Sequence, residues 1–162
     1  MQQHQSLNAE IDRFLQGALE GSDAHFERYV SESVSCWGFP EFNPASRHEF
    51  KGFFNLLTDV FASASFTVDQ LLTSGNEALA SFSISGIHHE EFLGLKATGC
   101  LLSMRGRLLM RIKEGRINQS WMYDKSVQLI TPAGLRFVLQ AVADVPAPLH
   151  TVHGVLCHPS IR

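Results

Sequence analysis

The stretch Leu79-Ala-Ser-Phe-Ser-Ile-Ser-Gly-Ile-His-His89 decides the fold class. Phe82, Ile84, Gly86 and His88 fall on one face of it, and Ser81, Ser83 and Ser85 on the other. Such period-two alternation sets one side of a β-strand against a core and leaves the other wet. The run from about Thr98 to Lys113 repeats the pattern at greater length. Leu102, Met104, Gly106, Leu108, Met110 and Ile112 oppose Ser103, Arg105, Arg107, Arg111 and Lys113. Upstream, Ser65–Leu72 alternates around Phe66 and Val68 and ends at the turn signal Ser74-Gly75-Asn76. Downstream, Glu114-Gly115 turns the chain into a last strand, Arg116–Asp124. Strands joined by tight turns predict an antiparallel meander with one covered face.

What covers that face lies earlier in the chain. Leu7, Ile11, Phe14 and Leu15 recur at helical spacing over residues 6–19, and a short second helix follows Ser22. Ser33–Trp37 reads as a strand and the proline-containing residues 39–45 as a loop. Ser46-x-x-Glu49 is a capping box, and behind it Phe50, Phe53, Phe54, Leu57 and Phe61 form one apolar stripe. Thr131-Pro132 predicts a further helix to about Val142, with an extended tail after it. Helices followed by hairpin-linked strands make an α+β, cone-shaped fold: a curved antiparallel sheet packed on N-terminal helices around a pocket. Residues 1–145 are expected to form one domain and residues 146–162 a tail.

Composition narrows the function. The chain has 162 residues, 44% of them hydrophobic and 18% charged, with a formal net charge of -3. A core is within reach and global disorder is not expected. The acidic balance disfavours nucleic acid, and no stretch is long and apolar enough for a membrane span. Cys36, Cys100 and Cys157 are few and scattered, which fits a reducing cytoplasm, and the polar start MQQHQSLNAE does not read as a signal peptide. His150, His153, Cys157 and His158 have the side chains zinc prefers but no ligand spacing, so no metal is expected. The sequence holds no phosphate-cradling glycine loop and no nucleophile elbow, so cofactor-free chemistry or plain binding is expected.

The segments Ser85-Gly-Ile-His-His-Glu-Glu-Phe-Leu-Gly-Leu-Lys-Ala-Thr-Gly99, Arg111-Ile-Lys-Glu-Gly-Arg-Ile117 and Trp121-Met-Tyr-Asp124 resemble the SnoaL-like polyketide cyclases. These share the fold of nuclear transport factor 2 and ketosteroid isomerase. The resemblance implies that Asp124 is an acid/base that removes a proton beside a carbonyl so that an intramolecular aldol closes a ring. It matches His88 to the family's Gly-x-His, where a neutral imidazole could orient a carbonyl. Trp37, Phe50, Phe54, Met104, Leu108, Trp121 and Tyr123 are the expected pocket wall. An apolar surround would raise the carboxyl pKa toward the operating pH.

One spacing departs from the family. Ile117 to Asp124 is an odd step, so in a regular strand Asp124 points away from the face of Ile117, and a bulge near Met122 would restore it. The expected function is a cofactor-independent cyclase or isomerase acting on an apolar, polyketide-like ligand. The alternative is a non-catalytic binding or dimerisation module on the same scaffold. A homodimer through the outer, serine-rich sheet face is expected, as related folds pair there.

Overall fold

The computed structural model describes residues 2–139. It contains helices α1 (Gln2–Gly17), α2 (Asp23–Tyr29) and α3 (Arg47–Val60). The strands are β1 (Val30–Trp37), β2 (Phe61–Ser74), β3 (Glu77–His88), β4 (Leu101–Lys113), β5 (Arg116–Ile130) and β6 (Arg136–Leu139). They form one open sheet in the order β1-β5-β4-β3-β2, with β6 also paired to β5. The sheet is mixed rather than wholly antiparallel, because β1 runs parallel to β5. No hairpin ties β1 to its neighbour: the chain leaves it through α3, so its direction is set by where α3 packs.

The helices follow their sequence signals, except that α3 ends at Val60 and Phe61, expected on its stripe, opens β2. Ser22 Oγ accepts from the backbone N–H of His25 at 3.2 Å. Ser46 Oγ accepts from that of Glu49 at 3.1 Å, and Glu49 Oε1 reaches back to the N–H of Ala45 at 2.8 Å. Each cap satisfies a donor that the first helical turn leaves open. Phe50, Phe53, Phe54 and Leu57 are all buried. Phe14 of α1 is the hub of this core, with ring contacts to Phe26, Tyr29, Phe50 and Phe54. His25 clamps the hub: its ring stacks on Phe14 and its Nε2 hydrogen-bonds the Phe14 carbonyl at 2.9 Å. Burial of each such ring stabilises the fold by about 1.5–3 kcal/mol.

The predicted helix from Thr131 does not form over the described residues. Thr131 and Leu135 close a turn, with Thr131 N–H donating to the Leu135 carbonyl and Gly134 N–H to that of Thr131. Gly134 has φ +89°, a left-handed geometry that breaks a helix. Arg136–Leu139 then returns antiparallel along β5 as β6, where an open sheet edge competes with a weak local helix signal. The rest of that predicted helix, the 146–162 tail and its His/Cys group lie outside the described residues.

Gly86 shows why a glycine interrupts the deciding strand. Opposite it, β2 carries two residues, Ser63 and Ala64, between the pairs Ala62–Ile87 and Ser65–Ser85. Ser63 has φ +56°. This bulge presses Phe61 and Ala62 onto Gly86, where a Cβ would lie 2.7 Å from the Ala62 carbonyl oxygen. Backbone cannot withdraw cheaply, so Gly86→Ala is expected to cost about 1–3 kcal/mol. Gly52, in α3, has open space where a methyl group would stand, with nothing within 4 Å, and Gly52→Ala should gain about 0.5–1 kcal/mol. Urea denaturation midpoints of the two variants, moving in opposite directions, check this.

Candidate functional site

Two bulges in β5 decide which side chains face the helices. β4 and β5 are in register at Ile112–Ile117 and at Arg111–Gln119, so Asn118 is an extra residue. It reverses the alternation that follows: Ile117, Ser120 and Met122 are buried, while Gln119, Trp121 and Tyr123 stand outward. Farther on, Arg107 pairs with Tyr123 and Arg105 with Ser126, which leaves Asp124 and Lys125 together opposite Gly106. Asp124 itself has φ +52°.

An inward Asp124 requires an irregularity near this point, and the strand has two. Neither carries Asp124 inward. The first bulge would give Asp124 the parity of Met122; the second rotates it out. Its side chain is 63% exposed and pairs with Arg107, Nη1 to Oδ2 at 3.6 Å, on the outer face. A carboxylate in that position keeps its water.

His88 sits at the opposite end of the sheet. Its ring is fully buried. Nδ1 accepts from the Thr98 backbone N–H at 3.3 Å and lies 3.0 Å from Thr98 Oγ1, which also accepts from Cys100 N–H at 3.2 Å. That network assigns the proton to Nε2. Nε2 has no hydrogen-bond partner among the described residues. Burial lowers the His88 pKa and outweighs the Glu90 and Leu95 backbones, which lie near enough to favour the protonated ring. His88 therefore fastens the 89–99 loop, together with Phe92, which is buried against Phe61. The two residues expected to act together are on different faces. From the level of Asp124 to that of His88 the ladder runs six residues, roughly 20 Å.

The expected pocket wall divides in the same way. Phe50, Phe54, Met104 and Leu108 lie on the inner side, at 0%, 3%, 0% and 3% exposure, as members of one core. Trp37, Trp121 and Tyr123 lie on the outer face. The two indoles stack at 5.0 Å and 18°, and the Arg111 guanidinium lies 5.2 Å from the Trp121 ring. The inner face is less completely covered toward β2, where Phe66, Val68 and Leu71 are half-buried and Phe66 stacks on Phe82. A separate cleft of about 280 Å³ opens elsewhere. Asp23 and Glu27 of α2, Glu32 of β1, and Arg47, His48 and Lys51 of α3 border it. Its Lys51–Asp23 pair, at 3.2 Å, already joins two of its walls.

Among the described residues no group of three or more His, Cys, Asp or Glu side chains is placed to hold a metal ion. No helix there is long and apolar enough to cross a membrane. Cys36 is buried and its thiol is pushed up to about 12, which makes it a poor nucleophile. Sequence reasoning missed two partners: Thr98, which holds His88, and Arg107, which holds Asp124. The Thr98-Gly99 turn was visible, but nothing in it announced the ring it would meet.

Comparison with known proteins agrees with this architecture. A family model described as SnoaL-like polyketide cyclase matches residues 9–131. The fold is similar to that of TsrD from Streptomyces laurentii, with a TM-score of 0.64 and 21% identity over 74% of this chain and 87% of that one. It is also similar to a SnoaL-like polyketide cyclase from Agrobacterium tumefaciens, with a TM-score of 0.62 and 13% identity over 72% and 88% of the two chains. None of the curated proteins matches the sequence.

Phe54 meets four other rings, those of Phe14, Phe26, Phe50 and Phe53. Phe54→Ala is expected to lower stability by about 3–5 kcal/mol in denaturant titration, as a core truncation does. A loss near zero would mean the ring borders open space. For His88 the sign follows from the lowered pKa. Below its ordinary value near 6.5 the unfolded chain binds the proton more readily than the folded one. The stability His88 contributes is present above that value and is lost as pH falls through the folded one. Denaturation midpoints should therefore drop from neutral toward acid pH, and His88→Gln should flatten that slope.

Proposed function

The chain belongs to the SnoaL-like polyketide cyclase family, and from that premise we propose that it is a homodimeric binder of a polyketide-like ligand rather than an Asp124-dependent cyclase. The observation that carries this reading is the Arg107–Asp124 pair on the outer face. A base that takes a proton beside a carbonyl must lie against the substrate in a site that excludes water. A carboxylate 63% exposed and paired with a guanidinium on the outer face stands in water instead.

The ligand side is the concave one. Phe66, Val68 and Leu71 of β2, with Phe82, offer half-buried apolar surface next to the closed core of Phe50, Phe54, Met104 and Leu108. A flat, largely apolar polyketide fits such a surface through area burial. His88 supports it from a distance by holding the 89–99 loop. The finer chemistry expected from the sequence, an intramolecular aldol closure without cofactor, would need another group at the reacting carbon.

Asp124→Asn separates the two outcomes. Binding of an aromatic polyketide, followed by quenching of intrinsic fluorescence, and any ring closure of a linear poly-β-ketone, followed by chromatography, should both match the unsubstituted protein. Ring closure that the unsubstituted protein performs and Asp124→Asn loses, with binding intact, would restore the acid/base role to Asp124.

A further inference from the structure

Two buried polar atoms among the described residues have no hydrogen-bond partner, His88 Nε2 and Asn8 Oδ1. Native interiors leave few such atoms, because each gives up the hydrogen bond that water offered the unfolded chain. The His88 atom belongs to a fully buried ring already fastened to Thr98. The Asn8 atom has a different setting. Asn8 is only half-buried, and it lies on the apolar stripe of α1. Ile11, Leu15 and Ala18 follow it at steps of three, four and three residues, and all of them are buried.

That stripe faces the sheet. α1 packs against β2 and, to a lesser extent, β3. Leu7, beside Asn8, is half-buried against the same core as Phe66, Val68 and Leu71 of β2. Phe14, which ties α1 to α2 and α3, stands six residues farther along, roughly 9 Å up the helix axis. Asn8 therefore lies beyond the aromatic cluster, on the part of α1 that serves the sheet rather than the other helices.

We propose that Asn8 is the polar anchor of the ligand surface along β2, its amide oxygen accepting a hydrogen bond from a phenolic or enolic hydroxyl of the ligand. The inference rests on the ligand reading given above and names the chemistry that reading leaves open. Phe66, Val68, Leu71 and Phe82 bury area, which selects weakly among flat apolar compounds. An amide oxygen shielded from water selects more sharply: a hydroxylated ligand satisfies it, and one without a donor leaves it unpaired. Polyketide chains carry oxygen on alternate carbons and enolise to such hydroxyls, so the acceptor matches the class.

Equilibrium dialysis of the full chain against naphthol and naphthalene, two flat aromatics that differ by one hydroxyl, tests this. The unsubstituted protein should bind naphthol more tightly. Asn8→Leu keeps the branch at Cγ and removes the acceptor. It should weaken naphthol by about three- to tenfold and leave naphthalene no weaker. Its urea midpoint should not fall, since apolar surface replaces an unpaired buried amide. Phe66→Ala should weaken both ligands together. If Asn8→Leu weakens both equally or neither, while Phe66→Ala weakens both, the anchor is overturned and the ligand surface stands. If neither ligand binds, or Phe66→Ala weakens neither, the ligand surface is overturned and the anchor with it.

Discussion

The pleat of β5 is the constraint on which the rest of the molecule depends. Side chains on a strand alternate, so one inserted residue exchanges inside for outside along everything that follows. β5 does this twice, at Asn118 and at Asp124. The first insertion delivers Met122 to the core and Trp121 and Tyr123 to the opposite face. The second returns Val127 and Leu129 to the core after the chain has passed Asp124. Without either, the aromatic residues of this strand would compete with the α3 phenylalanines for the same space.

Against that strand the helices supply volume. Phe14 links α1 to α2 and α3, and the rings around it meet at offset or edge-on angles of the kind aromatic clusters prefer. Such a cluster fills the concave side next to α3 more fully than a cone with an open centre would allow. Cover is thinner toward β2, where bulges at Ser63–Ala64 and Asp69 interrupt the strand and the inner side chains are only half-buried. Bulk is distributed accordingly: a closed core under α3 and half-buried apolar side chains along β2.

Much of this was legible in the residues. The serine alternation of β3, the capping box at Ser46 and the Glu114-Gly115 turn each name their structure, because propensity, period and tertiary need agree there. The resemblance carried by the short turns points to the right family and to an α+β fold, while the parallel β1 is outside what it implies. The side chains that would do chemistry were harder to place, since their direction depends on bulges. A bulge is a property of two strands in register, and one strand's sequence shows only that the parity is awkward at Ile117–Asp124. The lost helix after Thr131 has a similar cause: Thr-Pro is a good start, but the left-handed Gly134 and the open edge of β5 were stronger. Thr98 and Arg107 escaped notice because their importance comes from a partner distant in sequence or across the ladder.

The parallel pairing of β1 with β5 has a consequence for how the chain is made. Val30 meets Ile117, roughly 85 residues later, whereas β2 through β5 are joined by near neighbours. At synthesis rates of about 5–20 residues per second, β1 waits on the order of ten seconds for its partner to emerge. During that interval α1 and α2 can form, but β1 has no ladder to join. The local hairpins of β2 to β4 can assemble first, and the sheet becomes complete only when β5 accepts β4 on one edge and β1 on the other. Closure across the longest loop therefore belongs to the end of folding, after the ribosome has delivered nearly the whole domain.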